Sequence, residues 1–131
     1  MTRIIRDHQV NECNEAITIS ADEPDAKYGN ASHCYVLSIT RRFPDTEQGE
    51  PSSETWGIQF QRGPIKEVGV NGLTNEALLA VLIDRMRGFQ SGPFSCQENA
   101  IVLTHLQDAQ HWLLHRTRER MKRGVEGTNK V

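Results

Sequence analysis

Long apolar runs are what this 131-residue chain most plainly lacks. No stretch approaches the ~18 consecutive apolar residues of a membrane span. The opening Met1-Thr-Arg-Ile-Ile-Arg-Asp-His8 has no apolar core of secretory-leader length. A soluble protein retained in the cytosol is the expectation. Cysteine is scarce: Cys13, Cys34 and Cys96 are odd in number, widely spaced and outside any C-x-x-C pair. That pattern points to neither a disulfide framework nor a zinc knuckle. Catalytic signatures are missing as well, with no G-x-x-x-x-G-K-S/T loop, no G-x-S-x-G elbow and no H-E-x-x-H. His111 and His115 stand at i, i+4, but outside an H-E-x-x-H context no metal site is expected. No nucleophile lies beside a base, so neither catalysis nor a cofactor is called for.

The length suits one domain with a real core and leaves no room for two. The expected layout is a single domain, 1–131, with a β-rich part over 1–72, a helical hairpin over 73–124 and a tail over 125–131. The formal charge of −2 hides an asymmetry: residues 116–131 hold six Lys or Arg against two Asp or Glu, a net +4 against −6 for the rest. An anionic partner is therefore expected at the C-terminal end.

The first half reads as short strands. Glu15-Ala-Ile-Thr-Ile-Ser20 runs into the acidic turn Ala21-Asp-Glu-Pro-Asp25. His33-Cys-Tyr-Val-Leu-Ser-Ile-Thr40 and Thr55-Trp-Gly-Ile-Gln-Phe-Gln61 are rich in β-branched and aromatic residues, and the second alternates Trp56, Ile58 and Phe60 with smaller or polar neighbours. A period of two predicts a half-buried antiparallel sheet. The polar segment 44–53, with Pro and Gly, predicts an exposed hairpin loop.

The second half changes period. Thr74 is placed to cap a helix over 75–87, with Leu73 stapled onto Leu78 and Gly88 as its stop. Ser95-Cys-Gln-Glu98 reads as a capping box opening a second helix, which runs to about Arg123 before Gly124. Roughly six connecting residues make the two helices antiparallel neighbours. Val102, Leu103, Leu106, Ala109 and Leu113 are expected on one face, with Ile101 and Trp112 nearly opposite. Such surplus apolar surface is covered either by a second copy of the chain or by the sheet. The predicted class is α+β: a small antiparallel sheet packed with an antiparallel helical hairpin that oligomerises through its helices.

Residues 89–128 concentrate the candidate binding groups. Asn99 falls on the apolar stripe, where an unsatisfied amide costs about 1–3 kcal/mol. It therefore either bonds a neighbouring turn or is presented to a ligand at the positive helix end. Phe94 reads as a core plug, while Phe89 is either a plug or a stacking platform for a purine. Arg116, Arg120 and Arg123, spaced by four and three, share one helix edge. They form either a solvated face that complements the helix dipole or a set of forks for phosphate oxygens.

Gly-Pro-Ile at 63–65, Gly69-Val-Asn-Gly-Leu-Thr-Asn-Glu-Ala-Leu-Leu79, Gly92-Pro-Phe-Ser-Cys-Gln-Glu-Asn99, Trp112-Leu-Leu-His-Arg-Thr117 and Arg123-Gly-Val-Glu-Gly-Thr128 carry a family resemblance. Together they look like the phage Thoeris anti-defence family of the first type, which shares its helical hairpin with the anti-CBASS cyclic-nucleotide sponges. The match is tightest over 63–128. The resemblance implies a sponge without enzymatic activity, acting in the cytoplasm of the infected bacterium. Such a protein sequesters glycosyl-linked cyclic ADP-ribose, the signal made by TIR enzymes, and some family members also take up cyclic di- or trinucleotides in separate sites of a homohexamer built from homodimers. By resemblance the stacking aromatic falls on Phe89, the pocket amide on Asn99 and the pocket arginine on Arg116, with Arg120 and Arg123 extending the set. No metal, membrane or nucleic-acid polymer is implied. Two rival classes remain from the residues themselves: a small enzyme hydrolysing the same signal, and a nucleic-acid-binding regulator using the basic helix end.

Overall fold

The computed structural model describes residues 2–41 and 52–131. The chain forms two compact units, Met1–Arg62 and Gly63–Val131. The class is α+β, a four-stranded antiparallel sheet followed by a helical hairpin.

In the first unit, β1 (Arg3–Ile5), β2 (Ile17–Ala21), β3 (Cys34–Arg41) and β4 (Ser52–Gln59) pair in sequence order, each antiparallel to the next. Register explains the alternation in the sequence. Ile5 pairs with Ile19, Ile19 with Leu37, and Leu37 with Trp56, so four large apolar side chains share one face. On the other face Ser38 Oγ and Thr55 Oγ1 lie 3.1 Å apart.

The bounds differ from expectation in places. The strand expected from Glu15 begins at Ile17, because Asn11 Oδ1 accepts the Asn14 N–H at 2.9 Å and caps a short helix α1 (Glu12–Glu15). Strand β1, three residues long, is a feature that periodicity cannot detect. Most of the loop expected over 44–53 lies outside the described residues, although Ser52 and Ser53 already belong to β4.

The unit has a polar edge centred on Asp25. Its carboxylate takes the Arg62 Nε–H at 2.6 Å and the Lys27 backbone N–H at 3.0 Å, and the Arg62 bond is the main reason its pKa is held below the ordinary value.

The second unit is built around α3 (Asn75–Gln90) and α4 (Gln97–Lys122), preceded by the single turn α2 (Ile65–Val68). Thr74 caps α3 as expected, its Oγ1 accepting the Ala77 N–H at 3.1 Å. Gly88 does not stop it. The helix continues to Gln90, and Ser91 closes it by returning its N–H to Arg87 O at 3.0 Å. The cap of α4 is Cys96 rather than Ser95: Cys96 Sγ accepts the Asn99 N–H at 3.4 Å, while the Ser95 N–H is held in the turn by Gly92 O at 3.3 Å. The turn is thus one residue longer than the S-x-x-E spacing suggests. At the other end Gly124 takes φ +69°, the left-handed conformation that ends helices at glycine.

Six residues separate α3 from α4, and two contacts fix the hairpin as antiparallel. Gln90 Oε1 accepts the Cys96 N–H at the tip, and Gln110 Nε2 donates to Glu76 O near the start of α3, at 3.1 and 3.0 Å. The inward residues of α4 follow a four-three spacing through Asn99, Leu103, Leu106, Gln110, Leu113, Thr117 and Arg120. Val102 and Ala109, expected on that face, are exposed beside it because the seam is narrower than the expected stripe. Ile101 and Trp112 face solvent, as do Val81 and Leu82 on α3. Ile83, 5% exposed, is buried in this unit.

Candidate ligand-binding site on the hairpin

The five residues expected to bind a ligand fall at two ends of the hairpin. At the tip, Phe89 occupies the last turn of α3 and is half-buried, with the Arg85 guanidinium 5.0 Å from its ring centroid. The two are four positions apart, so helical geometry sets one over the other. Asn99 lies in the first turn of α4, half-buried, and its Nδ2 donates to Phe94 O at 3.4 Å. That long bond occupies one amide proton, and the carboxamide oxygen has no partner among the described residues. Phe94 itself is 72% exposed and is no core plug. A backbone cap by a thiol also relieves Glu98 of the capping role, and its side chain stands in solvent.

The other end holds the arginines. Arg116 is exposed and makes no hydrogen bond or ion pair among the described residues. Arg120 is the opposite case, 6% exposed and surrounded by acceptors. Its Nε donates to Glu126 Oε2 at 3.0 Å, its Nη2 to Val125 O and Thr128 O at 3.0 Å each, and its Nη1 to Lys130 O. The guanidinium fork therefore organises the tail over 125–130. Arg123 caps α4 and sends Nη1 to Val131 O at 2.6 Å.

The tail docks on α2 as well. Lys66 N–H donates to Gly127 O at 3.1 Å, and a Cβ on Gly127, at φ +80°, would meet the Ile65 side chain at 2.8 Å. Arg123-Gly-Val-Glu-Gly-Thr128 is thus a folded latch in which close approach to Ile65 requires glycine at 127 and a left-handed φ favours it at 124.

At 1.5 Å of rise per residue, the seventeen positions from Asn99 to Arg116 span about 26 Å of α4. A single hairpin cannot bring Phe89 and Asn99 to the same small molecule as Arg116. Between these ends, Trp112 meets His111 and His115 edge to face, with centroids 5.3 and 5.5 Å away. Among the described residues no three His, Cys, Asp or Glu side chains cluster as metal ligands, and no helix is long and apolar enough to cross a membrane.

Residues 57–118 match the Acb2/Tad1 hairpin-domain family. That span includes Phe89, Asn99 and Arg116 and stops before Arg120 and Arg123. Thoeris anti-defense 1 from Bacillus phage SBSphiJ7 is 50% identical over 72 residues, covering 55% of this chain and 51% of that protein. The chain spans about half the length of the curated relative it matches. Over residues 57–118, which carry most of the α3/α4 hairpin, this chain is similar to the Acb2/Tad1 hairpin domain, and a phage Thoeris anti-defence protein is among its relatives.

Proposed function

We propose that this chain is a phage anti-defence protein that binds a cyclic ADP-ribose isomer and sequesters it intact, in a site completed by a second copy of the chain. The observation that carries this reading is the separation of the binding groups. The tip has an aromatic face and an amide, the far end has an open guanidinium, and about 26 Å of helix lies between them. Antiparallel pairing of two α4 helices sets the tip of one copy beside Arg116 of the other. The exposed apolar side chains Val102, Trp112 and Val81 are the kind of surface such pairing covers.

In this site Phe89 stacks on the base, Asn99 reads a polar edge of the ligand and Arg116 grips a phosphate by bidentate hydrogen bonds. Arg123 adds positive potential at the same end, and Arg120 acts through the tail it holds. Assembly of dimers into a hexamer, with cyclic di- or trinucleotides in separate sites, belongs to the same proposal. So does action in the cytoplasm of the infected bacterium. Sequestration works by affinity: a sponge that starves an effector needs nanomolar binding, near −12 kcal/mol, and a ligand with a base and two phosphates offers enough contacts for it.

The direct test is to saturate the protein with glycosyl-linked cyclic ADP-ribose, remove free ligand, denature by heat and identify what is released. Recovery of the intact compound at stoichiometric yield is expected. Release of ADP-ribose or another opened product would show an enzyme instead.

A further inference from the structure

The proposed ligand carries two phosphates, yet the charge that meets them is thin. Arg120 has turned its guanidinium to the tail, and Arg123 gives one of its nitrogens to a backbone carbonyl. Arg116 alone among the three is fully open. At the tip, Phe89 and Asn99 bring no charge at all. A dianion brought against that tip meets one open guanidinium, from the partner copy.

We infer that Arg85 supplies the second cation and is a binding residue of this site. Its guanidinium lies over the Phe89 ring at 5.0 Å and makes no hydrogen bond or ion pair among the described residues, so its donors are available. A cation on one face of Phe89 fixes the ring's orientation and leaves the opposite face for a base. The same group then stands within one aromatic thickness of the stacked nucleoside, where its fork meets the adjoining phosphate. Arg87 does not substitute for it. Two positions along a helix is about 200° of rotation, which turns Arg87 away from the face that Arg85 and Phe89 share.

This inference rests on the proposed ligand, and the experiment separates the two. Calorimetric titration with glycosyl-linked cyclic ADP-ribose at low and high salt is run on the unmodified protein, R85M, R85K and F89A. R85M is expected to bind roughly 10- to 100-fold more weakly and to lose part of the salt dependence of binding, with its melting temperature unchanged because the side chain is exposed. R85K is expected to keep the salt dependence and fall between the two, since lysine retains the charge without the planar stack. If R85M binds with the parent affinity and the parent salt dependence, the role of Arg85 is overturned. Should R85M fail to fold, R85K decides, and full parental affinity in R85K overturns the role. If the unmodified protein does not bind, the ligand assignment itself is wrong.

Discussion

The two ends of the α3/α4 hairpin use polar groups in opposite ways. At the far end, Arg120 is buried and makes four hydrogen bonds within ten residues of chain, closing a tail that also packs on α2. At the tip, the cap is a thiol at 3.4 Å, Asn99 holds one long amide bond, and Phe94 and Arg85 stand in solvent. Beyond Arg116, the far end spends its polar capacity on its own chain, and the tip leaves it open. The lesson is that arginine spacing does not distinguish a phosphate grip from a folding device. Arg116 and Arg120 are one turn apart on the same helix, yet one is free and the other fully engaged.

The contrast is broken most severely at Arg120. Replacing it with Met leaves carbonyls of the tail and the Glu126 carboxylate without their donor. The expected cost is about 2–3 kcal/mol in urea or thermal unfolding, with early proteolysis of the segment after Gly124. An unchanged melting temperature would mean that the latch contributes nothing to the fold. The tip is expected to respond in the other direction and less. Cys96→Ser places a preferred capping oxygen where a weak sulfur acceptor now sits, and a gain of about 0.5–1 kcal/mol is expected by the same measurement. A loss of stability in that variant would show that the thiol is held for its packing rather than its capping.

Much of the scaffold was legible in the sequence. Period-two alternation located β3 and β4, because one face of each strand carries Leu37 or Trp56 and the other Ser38 or Thr55. Thr74 announced α3 and Gly124 announced the end of α4, since both act through their own local backbone. What failed depended on more than spacing. Ser95 has the better capping side chain, but the turn through Gly92 and Pro93 places Cys96 at the capping position. The tail fold around Arg120 comes from side-chain bonds to backbone carbonyls, which no hydrophobic period records. The i, i+4 relation of Arg85 to Phe89 is visible in the sequence, but the seating of its guanidinium over the ring is a property of the fold. As for the proposed site, its residue types were readable, and so was the continuous helix to about Arg123 that separates its halves; spacing did not show that Arg120 is tied to the tail while Arg116 is open.

That separation can be tested by complementation. Asn99→Ala damages the tip half of the site and Arg116→Ala the arginine half, so each homo-oligomer is expected to lose cyclic ADP-ribose binding. Co-expressed in equal amounts, the two variants form mixed dimers in which one of the two shared sites has both halves intact. Titration with glycosyl-linked cyclic ADP-ribose is then expected to recover roughly a quarter of the sites at parental affinity. No recovery in a mixture shown by native mass spectrometry to contain mixed dimers would contradict a site built from two copies.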